Sequence, residues 1–216
     1  DIRSKSLVAR DGSAPMGMAQ VRELRDAIAA FRSSGKCAVA YAETFGEFGP
    51  GNGAYYLATA FDEIYLLPSG DVGLTGMMYE SMFLRGTLEK LGVEPRMDHR
   101  KEYKNAMNTF TESAFTEAHR EALAKVMDSQ FGQIVRGVAA ARGLTDTQVR
   151  GAFDRGPYLG AEAVRAKLVD GVAYRDEVYD KVAAKAGATP SYLAVGTYLE
   201  RAGRPHQKGE TIALVY

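Results

Sequence analysis

Few side chains in this sequence could take part in catalysis: Lys104, His99, the glutamates Glu43 and Glu47, and the lone thiol of Cys37. A lysine acts as a general base only when its amine is neutral, and a free lysine is almost wholly charged at pH 7. Burial and nearby positive charge both favour the neutral form. Arg100 and Lys101 lie just before Lys104, and Ala106, Met107 and Phe110 just after it; Glu102 opposes the effect if it points the same way. By residue type alone, Lys104 belongs to the solvated surface where most lysines sit. His99 stands without a Ser or Cys and an orienting acid at triad spacing, so it reads as an incidental polar histidine. The run Gly46 to Gly53 contains Glu47 and lacks the Gly-Lys-Ser/Thr ending of a phosphate loop. It reads as a tight strand-to-helix turn, with Pro50 suited to it. Tyr55, Tyr56, Met77, Met78, Met82 and Phe83 suit either helical core packing or an adaptable groove for an apolar peptide.

The bulk composition narrows the classes. The chain has 216 residues, 46% hydrophobic and 25% charged, in the range of a globular domain with a sizeable core. Lys+Arg equals Asp+Glu at 27 each, which argues against a nucleic-acid binder. With Cys37 alone, no intrachain disulfide can form, and its apolar surroundings, Cys37 to Ala42, read as a small buried hydrophobe. The three histidines, His99, His119 and His206, include no pair at ligand spacing, so neither metal nor cofactor is expected. No stretch approaches the roughly 18 apolar residues of a membrane span.

The elements that must position these groups alternate in the first half. Ser6–Ala9 reads as a strand, Met18 to Phe31 as an amphipathic helix closed by Gly35, and Cys37–Ala42 as a buried strand. A short helix follows the Gly-rich turn, then a strand over Ile64–Leu67, a helix over Met77–Leu91 and a strand over Val93–Met97. Such alternation indicates α/β with a mostly parallel sheet covered by helices. The second half is mainly helical: a long helix from about Phe115 stops at Arg142-Gly143, and Thr145 with Gln148 forms a capping box. Smaller helices are expected over Gly160–Leu168 and Tyr174–Ala186. The expected organisation is a domain over 1–188, a linker over 189–209, and at 210–216 the first strand of a truncated second domain.

An ordered set of stretches resembles the signal peptide peptidase A family. It comprises Gly51-Asn52-Gly53-Ala54-Tyr55-Tyr56-Leu57-Ala58, Phe61-Asp62-Glu63-Ile64, Pro68-Ser69-Gly70, Val72-Gly73-Leu74-Thr75-Gly76, Leu88-Glu89-Lys90-Leu91-Gly92-Val93 and Tyr103-Lys104-Asn105-Ala106. Gly160-Ala161-Glu162-Ala163 and Lys167-Leu168-Val169-Asp170-Gly171 complete it. The resemblance implies a ClpP/crotonase-like fold and, in the long form, two tandem copies of it. It implies a Ser/Lys protease in which the amino-terminal copy supplies the lysine, Lys104, and a carboxyl-terminal domain supplies the nucleophilic Ser. Hydrophobic peptides such as signal-peptide remnants would be the substrates. A homo-oligomer anchored in the bacterial inner membrane, with its catalytic domains facing the periplasm, is implied as well.

Two departures follow. The catalytic copy would carry Ser-Gly-Gly before the tyrosine pair, where this chain has Asn52-Gly53-Ala54, and an amide is no nucleophile. The paired glycines of the oxyanion turn are lost in Asp11 to Gly17. This chain alone is therefore expected to be inactive. Two rivals stand beside this reading. One is a crotonase-like acyl-CoA enzyme using Glu43 or Glu47; the other is a structural or oligomerisation domain in which Lys104 is a relic.

Overall fold

The computed structural model describes residues 4–11, 16–47, 49–187 and 191–203. In chain order the elements are β1 (Ser6–Asp11), α1 (Met18–Ser33), β2 (Cys37–Ala42), α2 (Asn52–Ala58), β3 (Glu63–Leu66), β4 (Asp71–Val72), α3 (Arg85–Lys90) and α4 (Asn108–Thr111). There follow α5 (Glu117–Arg142), α6 (Asp146–Arg155), β5 (Tyr158–Leu159), α7 (Gly160–Arg165), β6 (Gly171–Val172), α8 (Arg175–Ala186) and α9 (Val195–Ala202). The α/β class with a mostly parallel sheet and outer helices is as expected.

The main sheet runs β1-β2-β3-β6 and is parallel throughout. The all-apolar run of β2 explains its central place, because a parallel strand covered on both faces needs no polar side. Ala38, Ala40 and Ala42 belong to the larger core with α1, α2 and α5, and their small side chains let these helices approach. Val39 and Tyr41 face the other way, packing with Val178 and Val182 of α8. A second, two-stranded sheet pairs β4 with β5 antiparallel, and Phe45 bridges to Val72.

Two aspartates of the recurring stretches turn out to be fasteners. Asp62 accepts from the Ala38 N–H at 2.8 Å and from Arg32 at 2.6 Å, tying the start of β2 to the end of α1. Asp170 accepts from the Ile64 N–H at 2.8 Å and forms a two-pronged pair with Arg142 at 2.9 and 3.1 Å. Arg142 also donates to the Lys167 carbonyl at 2.8 Å, so the end of α5 is bound to β3. Its side chain is only 11% exposed, so Arg142→Ala strands a charge-assisted acceptor. The variant is expected to lose about 2 kcal/mol in urea unfolding.

The Tyr55 hydroxyl is buried and donates to the Leu168 carbonyl at 2.7 Å. Burial pushes its phenol well above the ordinary range, with Arg142 opposing. The unfolded chain therefore loses this proton first. The contribution is intact below pH about 10 and falls as pH rises beyond it. Tyr55→Phe is expected to show a smaller stability loss between pH 7 and pH 11 than the parent in matched urea titrations.

Two expectations fail or shift. The helix expected over Met77–Leu91 is confined to Arg85–Lys90, and residues 73–84 are irregular. Gly76 at φ 77° breaks the start. Met78 and Met82 are exposed, so the apolar face that would have held a longer helix has nothing to pack on. Val93–Met97 forms no strand and belongs to no sheet. The stretch expected as linker contains α9, and the Tyr192 ring packs on Tyr179 of α8 at 4.7 Å. Residues 210–216 lie outside the described residues. Among the described residues no helix is long and apolar enough to cross a membrane.

Candidate functional site

Lys104 lies in an irregular segment just before α4, and its backbone N–H closes a turn onto the Lys101 carbonyl at 3.2 Å. Lys101 takes φ 70°, the left-handed region, which reverses the chain immediately ahead of the candidate base. The Lys104 side chain is exposed, and its ammonium has no ion-pair or hydrogen-bond partner among the described residues. Ala106 and Phe110 are exposed too and Met107 is half-buried, so among the described residues the apolar shelter expected from the following residues leaves Lys104 exposed.

The segment is nonetheless held firmly on both sides. Before it, the Tyr103 hydroxyl donates to Glu121 of α5 at 2.6 Å, and Lys125 grips the same carboxylate at 2.8 Å. Those two contacts, Lys125 first, hold the Glu121 carboxyl below the usual range. After it, buried Asn108 donates to Thr116 Oγ1 at 3.3 Å and meets His119 Nδ1 at 3.5 Å. His119 is itself buried, edge-on to Phe115 at 4.9 Å and to Phe83 at 6.4 Å between ring centres. The Leu84 N–H donates to the Thr109 carbonyl at 2.7 Å, fastening the start of α3 to α4. Sequence reasoning missed this knot of Phe83, Asn108, Phe115 and His119. The one available signal was Thr116 ahead of Glu117, a helix start, which the structure confirms through the Thr116 cap on the His119 N–H.

Asn52, where the resemblance led us to expect a lost serine, is buried and committed to structure. Its Nδ2 donates to the Gly76 carbonyl at 2.5 Å and its Oδ1 accepts from the Thr75 N–H at 3.3 Å. Two neighbouring N–H groups are spent as well: Gly51 donates to Gly73, and Gly73 to Phe45, at 2.9 and 2.7 Å. The local turn thus holds the 73–76 segment shut, and its amide side chain is no nucleophile. Residues 12–15, central to the stretch matching the oxyanion turn, lie outside the described residues.

The other candidates separate. His99 lines an open cleft of about 420 Å³ with Glu102, Tyr103, Glu112, Glu117 and Glu121, a lining without Ser or Cys. Glu43 is exposed and paired with Arg10 at 2.6 Å, and Glu47 is exposed. Cys37 is half-buried beside the α8 core, and burial pushes its thiol up. Tyr55 and Tyr56 belong to the core, whereas Met78 and Met82 stand out at 83% and 69% exposure. Among the described residues no group of His, Cys, Asp and Glu could hold a metal ion.

Comparison with known proteins points the same way. The profile described as Peptidase family S49 matches residues 30–189. "Serine protease SPPA, chloroplastic" of Arabidopsis thaliana is 30% identical over 75% of this chain and 23% of its own length. "Protease 4" of Salmonella typhi is 27% identical over 91% of this chain and 33% of its own length. "Protease 4" of Haemophilus influenzae is 28% identical over 57% of this chain and 19% of its own length. The chain thus spans a third or less of these relatives.

Proposed function

The chain belongs to peptidase family S49, and from that membership we propose that it is the lysine-donating half of a Ser/Lys protease. Lys104 takes the proton from a serine hydroxyl supplied by a carboxyl-terminal domain, then returns it to the leaving amine. The observation that carries this reading is an exposed amine, paired with no described residue, on a segment tied down at Tyr103 and Asn108. Ahead of it, residues 77–103 carry α3 but no strand, and they expose Met78, Tyr79, Met82, Val93 and Met97. Exposed apolar strips of this kind mark surfaces that another domain or a second copy covers. Covering it would give Lys104 the desolvation that the chain alone withholds.

Hydrophobic peptides, signal-peptide remnants among them, are the substrates this reading implies, cleaved by a membrane-anchored homo-oligomer. The site needs no cofactor. A direct test compares the chain alone with the full-length protein on a hydrophobic fluorogenic peptide. The chain alone is expected to leave the peptide intact, since Asn52 is no nucleophile, and the full-length protein to cleave it. Hydrolysis by the purified chain would overturn the division of labour.

One observation favours a second reading. Lys104 is exposed, as a relic lysine in a structural or oligomerisation domain would be. The acyl-CoA alternative draws no such support, because Glu43 is occupied by Arg10 at the surface.

A further inference from the structure

On the face formed by α1, α2 and α5, an open cleft of about 400 Å³ gathers three arginines: Arg22, Arg25 and Arg136. The chain as a whole is neutral, so this concentration of one sign is local. Arg25 forms the floor. Its guanidinium stacks 3.9 Å above the centre of the Tyr56 ring and donates to the Tyr56 carbonyl and, at 2.7 Å, to Thr59 Oγ1. The Tyr56 ring reaches this place because α5 carries Gly137 beside it; a Cβ there would lie 2.3 Å from the ring. Arg136 folds back over Gly132, its Nη1 3.1 Å from where a Cβ would stand. Arg22 reaches across from α1 toward Gln133 Oε1 at 3.5 Å, a long contact that leaves most of its donors free.

None of the three guanidinium groups has an ion pair among the described residues. Arg25 is half-buried, and desolvation pulls it down from its usual range while Tyr56 and Asp26 push the other way. Three cations gathered in one cleft, one of them partly desolvated, are costly with a single carboxylate beside them, so the cleft calls for a further anion. Asp26 is the carboxylate in the lining. Three positive charges less one negative leave two. That matches the charge of a phosphate monoester near neutral pH, and exceeds the single charge of a carboxylate. Planar guanidinium forks also fit phosphoryl oxygens two at a time.

We propose that this cleft binds a dianionic phosphoryl group, held between Arg22 and Arg136 at the rim with Arg25 beneath. The group could be carried by a soluble phosphate ester or by a lipid headgroup, and the test separates them. The intact protein is titrated calorimetrically with inorganic phosphate at ionic strength fixed with chloride. In parallel it is floated with phosphatidylcholine vesicles with and without phosphatidate. The expected result is saturable binding that the double variant Arg22→Gln/Arg136→Gln weakens about tenfold or more. Both side chains are exposed, so the variant's Tm should match the parent's. Arg22→Lys/Arg136→Lys, which keeps the charge and removes the forks, should fall between the two. Flotation with phosphatidate but no response to free phosphate would assign the lipid source, provided the double variant abolishes it. Failure of both probes, or binding that the double variant leaves unchanged, overturns the proposal.

Discussion

Lys104→Ala in the full-length protein is expected to lower kcat for peptide hydrolysis by about 10²–10⁴-fold, the worth of a positioned general base. Stability should move little, because the side chain is exposed and makes no described hydrogen bond or ion pair. Lys104→Arg is expected to be as inactive as the alanine variant, since a guanidinium stays protonated in proteins and cannot accept the serine proton. The arginine control separates loss of a base from loss of a positive charge. If Lys104→Arg keeps activity, the residue serves through its charge; if Lys104→Ala keeps it, the residue is a relic.

Gly51→Ala is expected to be strongly destabilising. An added Cβ would lie 1.9 Å from the Phe45 carbonyl oxygen, a backbone atom fixed by the Gly73 N–H at 2.7 Å. Relief requires the turn to part from the 73–76 segment, which would also pull Asn52 from Gly76 and Thr75. A loss of about 3 kcal/mol in chemical denaturation is expected, the upper part of the range for overpacking. Gly53→Ala, two residues on, is the control: nothing lies within 4 Å of its Cβ, and it sits inside α2. That change is expected to stabilise by about 0.5–1 kcal/mol. Equal effects at the two positions would show that the packing around the turn is not as described.

The sequence revealed most where its own residues met each other. The apolar run of β2, the periodicity of α1, the Thr145–Gln148 capping box and the Gly143 stop of α5 were legible because local chemistry and burial agree there. It misled at Met77–Leu91 and Val93–Met97. Apolar residues at those positions promise packing, but among the described residues Met78, Met82 and Met97 find no core. The Lys104 site was legible only through a resemblance in order and spacing. Its supports were not, because Tyr103 to Glu121 and Asn108 to His119 join α5 to the segment ahead of it across spacings that no short pattern marks. The sequence marked Asn52 only as a departure from the resemblance, not as the clamp on Thr75 and Gly76 that it is.

The central claim is that Lys104 meets a serine from another domain. Its most direct test is the separation between Lys104 Nζ and that serine's Oγ in an experimental structure of the full-length assembly. The account predicts contact within hydrogen-bond reach, about 2.6–3.2 Å, with the arm 77–103 covered. A Lys104 left in water, with no serine hydroxyl able to approach it in the assembled and active protein, would contradict it.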